Sequence, residues 1–166
     1  MQARPSLLLA GMGLLAGCTP VFPDLLTFDV NGGSTVIIGT NCADPCPGDD
    51  VPVDLTLEEH IAVDVDAAVE LAQYKVQLGI EGDETEIDYY ADLLQVQVSS
   101  VEPAAFTVNL AAYSQRTLID NLTGGESANG TATLTFAGYT PTNEALEVTV
   151  EVPVLFGRYD SDEVSQ

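Results

Sequence analysis

Basic side chains are scarce in this sequence of 166 residues. It contains four lysines and arginines against 26 aspartates and glutamates, and its formal net charge at pH 7 is −22. A chain with this charge repels the phosphates of nucleic acids, which excludes a nucleic-acid-binding role. The acidity is typical of a solvated surface in a salt-adapted organism, which we favour, or of a surface that binds Ca²⁺ or a basic partner.

Residue patterns that mark catalytic sites are also absent. Tryptophan is missing, His60 is the only histidine, and the HExxH, GxSxG, Walker and GxGxxG patterns do not occur. Asp64 and Asp66 alternate along one strand, about 6.6 Å apart by the usual strand rise, which is a glycosidase-like separation. Without a tryptophan to stack on sugars, a solvated strand face explains them better. We therefore predict no enzymatic activity, with an envelope hydrolase using His60 as the lesser alternative.

The N-terminus carries a short apolar run and then a cysteine. Residues 7–16 are apolar and follow Arg4, as in the hydrophobic region of a secretory signal. The run is shorter than the roughly 20 residues that a transmembrane helix needs. The sequence Leu15-Ala16-Gly17-Cys18 resembles the lipobox of bacterial lipoproteins. The resemblance implies that the Cys18 thiol receives a diacylglyceryl group and that a peptidase cleaves between Gly17 and Cys18.

The lipobox resemblance divides the chain and assigns its location. It implies a removed signal peptide over 1–17 and a lipidated tether over 18–24. A single domain over 25–157 and a polar tail over 158–166 are expected to follow. Thr19, rather than an aspartate, follows the cysteine, which implies the outer membrane in a cell that has one. The expected partners are the membrane, through the lipid, and a protein of the cell envelope; the domain could face either the periplasm or the outside.

The other two cysteines are Cys42 and Cys46, which are separated by three residues. Paired cysteines of an exported protein normally oxidise, and a turn can bring their Cα atoms within the distance that a disulfide requires. A thiolate metal site is the alternative. However, only His60 could add a nitrogen ligand, and the second cysteine pair of a typical structural zinc site is missing. We therefore predict a disulfide that closes a surface loop.

Apolar residues alternate with polar ones along most of the mature chain. In residues 51–58 the apolar positions are Val51, Val53, Leu55 and Leu57, the pattern of a half-buried antiparallel strand. Asn31-Gly32-Gly33 predicts a hairpin between 25–30 and 34–40. Residues 87–94 fit either a helix or a strand, and 121–130 read as a flexible loop. Eight or nine short strands predict an antiparallel β-sandwich, immunoglobulin-like, with a small β-barrel as the alternative.

Calcium is the cofactor that the acidic clusters suggest. Ca²⁺ takes six to eight oxygen ligands, but neither cluster fits the EF-hand pattern, so no cofactor is predicted with a defined site. We predict a structural or binding role, with a calcium-dependent adhesion or ligand-binding module as the alternative. The candidate ligands are Glu81, Asp83, Glu84, Glu86, Asp88, Asp49 and Asp50.

Overall fold

The structure is a computed structural model that describes residues 26–42, 45–57, 68–90, 95–99 and 102–158. Gly17, Cys18, His60, Asp64 and Asp66 lie outside the described residues, so the predictions made for them stay predictions. The described residues form nine strands and one α-helix: β1 (Leu26–Val30), β2 (Val36–Gly39), β3 (Val51–Leu57), β4 (Ala68–Ile80), β5 (Glu86–Tyr90), β6 (Val96–Ser99), β7 (Ala104–Val108), α1 (Tyr113–Leu122), β8 (Ala128–Tyr139) and β9 (Ala145–Gly157).

These strands form two sheets that pack face to face. One sheet has the order β1-β3-β7, and the other has the order β2-β9-β8-β4-β5, with β6 also pairing with β4. Between them the Phe28 ring stacks on Phe136 at a centroid distance of 4.7 Å, and Phe106 meets Phe136 edge-on at 6.1 Å. The predicted all-β sandwich is therefore confirmed, and the described strands do not close into a barrel.

The strand order is that of an immunoglobulin-like sandwich. The strands β1, β3 and β7 take the places of A, B and E, and β4, β5, β8 and β9 take those of C, C′, F and G. In addition, β2 runs parallel to β9, whereas the other strand pairs are antiparallel. One difference is that β6 pairs with the start of β4 and does not extend the three-stranded sheet.

Alternation in the sequence predicts the core correctly in the best-patterned strands. Val51, Val53, Leu55 and Leu57 of β3 are all buried, and the residues between them are exposed. Because Pro153 has no backbone N–H, the sequence predicts that it lies at an edge or a strand end. The structure places Pro153 inside β9, at a position that behaves as an edge. The strand β2 pairs with β9 only from Val154 onward. Among the described strands, Pro153 therefore has a neighbour on one side only, where a missing N–H is tolerated.

The buried positions of strand β4 change from odd to even residue numbers part of the way along its length. Val69 and Leu71 are buried, but Tyr74, Val76 and Leu78 follow on even positions. The register with β8 shifts between Leu71 and Gln73, so one extra residue in β4 resets the alternation, as in a β-bulge. In the sequence, residues 67–72 (AAVELA) fit either a strand or a short helical turn, and the bulge explains this ambiguity.

Two sequence predictions about local structure are wrong. Strands β1 and β2 do not form a hairpin, because β1 pairs with β3 and β2 pairs with β9 in the other sheet. Between them Asn31, Gly32 and Gly33 have φ values of 55°, 60° and 71°, and this left-handed turn carries the chain from one sheet to the other. The sequence AFTVNLAAY at 105–113 predicts one strand, but strand β7 ends at Val108 and α1 begins at Tyr113.

The structure also bears on two further predictions, the helix or strand over 87–94 and the loop over 121–130. Of the segment 87–94, residues 87–90 belong to strand β5, so the strand alternative holds for its described part. The predicted loop 121–130 is shorter than expected, because α1 extends to Leu122 and β8 begins at Ala128.

The strand register also defines the two ends of the sandwich. Leu26 pairs with Leu57, and Val30 pairs with Val53, so the chain enters at the end where β3 finishes. Six steps along β3 separate that end from Val51, a length of about 20 Å. At the Val51 end lies α1, which follows β7, together with the described residues 40–42 and 45–50 of the segment between β2 and β3, which we call the loop 40–50. We call these the entry end and the helix end.

Candidate functional site

The helix α1 brings a charged side chain into the protein interior. The buried residues of α1 are Arg116 and Ile119, which are three apart and therefore share one helix face. Arg116 is only 4% exposed. A buried guanidinium is costly unless its N–H groups have acceptors and its charge has a partner of opposite sign. The residues around Arg116 must therefore supply both.

The Arg116 guanidinium donates hydrogen bonds to three backbone carbonyls. Its Nε donates to Ala111 O at 2.9 Å, and Nη1 donates to Gly39 O at 2.6 Å and to Pro47 O at 2.8 Å. Nη1 also lies 3.1 Å from Cys46 Sγ. On the other branch, Nη2 forms an ion pair with Asp49 Oδ1 at 2.7 Å. One side chain of the helix thus connects both sides of the loop 40–50.

Asp49 extends these contacts to two further segments. Its Oδ2 accepts a hydrogen bond from the Cys46 N–H at 2.6 Å, and its Oδ1 accepts one from Asn109 Nδ2 at 3.3 Å. Asn109 Oδ1 in turn accepts from the Ala111 N–H at 2.9 Å, and the Asn109 N–H donates to the Tyr74 hydroxyl at 3.0 Å. We refer to Arg116, Asp49, Cys46 and Asn109 as the Arg116 cluster.

Burial and ion pairing act in opposite directions on Arg116. Burial lowers the pKa of its guanidinium, because the charged form loses water, and the neighbouring Asp49 carboxylate counteracts that effect. Among the described residues, no buried side-chain nitrogen or oxygen lacks a hydrogen-bond partner. The cluster is therefore a satisfied polar network that holds the loop 40–50 against α1.

Cys42 and Cys46 meet beside this network. Their Cα atoms are 5.7 Å apart and their sulfur atoms are at bonding distance, which fits the disulfide that the sequence predicts. Cys46 is buried and Cys42 is half-buried. Gly39 lies against both cysteines, because a Cβ at this position would meet each of the two Sγ atoms. A glycine is therefore needed where β2 passes the sulfur pair.

A second ion pair lies next to the cluster on α1. Asp120 accepts a hydrogen bond from the Thr40 hydroxyl at 3.1 Å and forms an ion pair with Arg158 Nε at 3.1 Å. The hydrogen bond from Arg158 is the main reason that the pKa of Asp120 lies below its usual range, and Thr40 contributes in the same direction. The helix is thus also connected to the residue that follows β9.

The structure places the candidate calcium ligands in separate local contacts. Asp49 belongs to the Arg116 cluster, Asp88 forms an ion pair with Lys75 at 3.3 Å, and Glu86 accepts from Gln77 Nε2 at 2.9 Å. Asp83 accepts from the Thr85 N–H at 2.7 Å, and hydrogen bonding to Thr85 lowers the pKa of Asp83. The side chains of Asp50, Glu81 and Glu84 are exposed. Within the described ranges, no three His, Cys, Asp or Glu residues are grouped so that they could hold a metal ion.

Sequence reasoning did not identify Arg116 or Asn109 as site residues. One signal was present, since Arg116 is one of only three basic residues after Arg4 in a chain with 26 acids. Arg116 is also three residues before Ile119, so the two lie on one face of a helix. The helix itself was not predicted, and its Ncap, Ala112, provides no side-chain hydrogen bond. Because no helix was predicted, the spacing of Arg116 and Ile119 did not indicate that the two residues share a buried face.

Among the described residues, no helix has the length and apolarity required to cross a membrane. Comparisons with protein-family models, with curated proteins and with solved structures find no match to this chain.

Proposed function

We propose that this protein is a lipid-anchored protein of the cell envelope, in which the acidic β-sandwich has a structural or binding role. The observation that carries the proposal is the pairing of the cysteines. Cys42 and Cys46 are joined to each other in the fold, and the sequence has three cysteines in total. Cys18 is thus left for the lipid, as its place in the Leu15-Ala16-Gly17-Cys18 sequence implies.

The position of the chain entry supports the same proposal. β1 begins at Leu26, at the entry end, and only seven residues separate it from Cys18. Seven extended residues span at most about 25 Å. An anchor at Cys18 would hold the entry end close to the membrane, and the helix end with the Arg116 cluster would point away from it.

The energetics of the anchor are sufficient for stable attachment. Each buried CH₂ of an acyl chain contributes about 0.8 kcal/mol, and two or more chains anchor a protein where a single chain binds reversibly. The diacylglyceryl group provides two chains. The strong negative charge of the domain disfavours direct contact with anionic headgroups, so in this proposal the lipid provides the attachment and the domain remains solvated.

The proposal is tested by lipid labelling in a Gram-negative host. Cells that express the wild type, Cys18→Ala or the double variant Cys42→Ser/Cys46→Ser are grown with labelled palmitate, and the membrane fraction is isolated. We expect label and membrane association for the wild type and the double variant, and neither for Cys18→Ala. Label that persists in Cys18→Ala would overturn the proposal, and so would a wild type without label.

A further inference from the structure

The two sulfurs of the Cys42–Cys46 pair have unlike surroundings. Cys46 is 7% exposed and its Sγ lies 3.1 Å from Arg116 Nη1. It also lies 3.5 Å from Gly39 O. Cys42 is half-buried, and none of the hydrogen bonds found for the described residues connects its sulfur to a charged group. One cysteine is thus partly open to solvent, and the other is buried against a cation.

We propose that this pair is an exchangeable disulfide, in which the thiolate of a small thiol compound attacks Cys42 and displaces Cys46. A bond forms between the incoming sulfur and Cys42 Sγ, and the Cys42–Cys46 bond breaks. The electron pair of that bond stays on Cys46 Sγ as a thiolate. A second thiolate then attacks the incoming sulfur and releases Cys42, so the protein gains two electrons and two thiols are oxidised to a disulfide.

The Arg116 cluster favours this direction of attack. Thiol–disulfide exchange is faster when the leaving thiol has a lower pKa, and a neighbouring cation stabilises the thiolate. Arg116 is held in place by its bonds to Ala111 O, Pro47 O and Asp49, so it is already positioned when the charge develops on Cys46. Asp49 and Tyr89 are the other ionisable groups that act on Arg116. The Asp49 carboxylate opposes a second negative charge on Cys46, whereas the Arg116 guanidinium, with Nη1 3.1 Å from Cys46 Sγ, favours it.

The proposal is independent of the lipid anchor, since it concerns the folded domain alone. The site is at the helix end, away from the chain entry, so a soluble thiol could reach it in the anchored protein as well. If lipid labelling contradicts the anchor, the proposal about the disulfide is unaffected. If the thiol experiments contradict the exchangeable disulfide, the proposed anchor is unaffected.

The site of attack is tested by mapping the mixed disulfide. The full-length protein is incubated with reduced glutathione, quenched with acid at early times and fragmented for mass spectrometry. We expect the glutathione adduct on Cys42 in at least about a tenfold excess over Cys46. An adduct mainly on Cys46, or an equal distribution, would contradict the proposal.

Attack on the folded protein must be distinguished from reduction after unfolding. Val148→Ala shortens a buried side chain of β9. Nine positions of β9, about 30 Å of strand, separate Val148 from Gly157, which pairs with Gly39 beside the sulfurs. If reduction required global unfolding, this destabilising variant would be reduced severalfold faster than the wild type. We expect equal rates, and a severalfold increase would contradict native-state attack.

The role assigned to Arg116 is tested by titrating each thiol alone. Cys42→Ser and Cys46→Ser are prepared in a Cys18→Ala background, and thiolate absorbance at about 240 nm is followed against pH. We expect the Cys46 thiol, which lies beside Arg116, to titrate at a lower pH than the Cys42 thiol. A Cys46 thiol that titrates at the same pH as Cys42, or higher, would overturn the assignment of Cys46 as the leaving thiolate.

Discussion

At the scale of single residues, Arg116 connects α1 to the loop 40–50 at the helix end. Within the part of the chain that the structure describes, Thr40 and Arg116 are the polar side chains that are buried. Arg116 is bonded to the backbone of three segments and to Asp49. A substitution here would leave carbonyl oxygens and a carboxylate without their partner, which costs more than the pair itself contributes.

Arg116→Gln should therefore lower the free energy of unfolding by about 3 kcal/mol, the lower part of the range for a broken buried ion pair. The matched control is Arg158→Gln, which breaks the ion pair with Asp120 at an arginine whose side chain is 55% exposed. Because solvent screens an exposed pair, the control should lose much less stability. Urea unfolding of both variants measures the difference, and equal losses would contradict the importance given to the Arg116 cluster.

The contact between Asp120 and Arg158 should make the stability of the protein depend on pH. Because the pKa of Asp120 is lowered in the folded state, its contribution to stability is present above the unfolded value of about 3.9. That contribution is lost as the pH falls through the folded value. An NMR titration of the Asp120 carboxyl should give a midpoint below about 3.9, and Arg158→Gln should move the midpoint upward. A midpoint that does not move would show that Arg158 is not its main partner.

At the scale of elements, the bulge in β4 is the feature with the sharpest consequence. Ala72 is the extra residue between Leu71 and Gln73. Without it, Leu71 and Tyr74 would be two positions apart in a regular strand, and both would still point into the core. Removing any residue from the regular part of β4 would instead turn the following side chains to the wrong face.

Deletion of Ala72 should therefore leave a folded protein, whereas deletion of Gln77 should prevent folding. Gln77 pairs with Thr133 in the regular ladder, and its deletion would move Leu78 and Ile80 out of the core. Circular dichroism and thermal unfolding distinguish the two deletions. If both variants unfold, the bulge has a role beyond resetting the alternation; if both fold, the register is not fixed by the core.

The strands, the turn at Asn31 and the helix differ in how well the sequence predicted them. The alternation in β3 and β9 predicted the buried faces, because each strand buries one face only. The turn at Asn31 was predicted as a hairpin, because a Gly-rich turn permits left-handed φ values without specifying which sheet the next strand joins. The helix α1 was missed, since its first turn has no side-chain cap. The Arg116 cluster was missed with it, because α1 is the element that brings Arg116 to Asp49 and Cys46.

At the scale of the whole molecule, charge repulsion opposes the compact state. The net charge is −22, and some acidic residues face each other directly: Asp29 lies opposite Asp54 in the β1–β3 ladder, and both carry at least partly exposed side chains. Like charges in opposite cross-strand positions are destabilising. Salt screens such interactions, with a Debye length of about 30 Å at about 0.01 M and about 10 Å at about 0.1 M.

The melting temperature should therefore rise when NaCl is increased from about 10 mM to about 500 mM. Asp54→Thr should raise stability by a few tenths of a kcal/mol at low salt, and this gain should shrink at high salt. Thermal unfolding in both buffers measures the effect, and a melting temperature that does not respond to salt would contradict it. Repeating the scans with CaCl₂ and MgCl₂ at matched ionic strength tests the calcium alternative, which predicts a larger rise with Ca²⁺.

The most direct test of the proposed anchoring is the mass of the mature N-terminus. The protein is purified from the membrane fraction of a Gram-negative host and its N-terminal fragment is measured by mass spectrometry. We expect a chain that begins at Cys18 and carries a diacylglyceryl group on its sulfur. A chain that begins at Met1, or an unmodified Cys18, would contradict it.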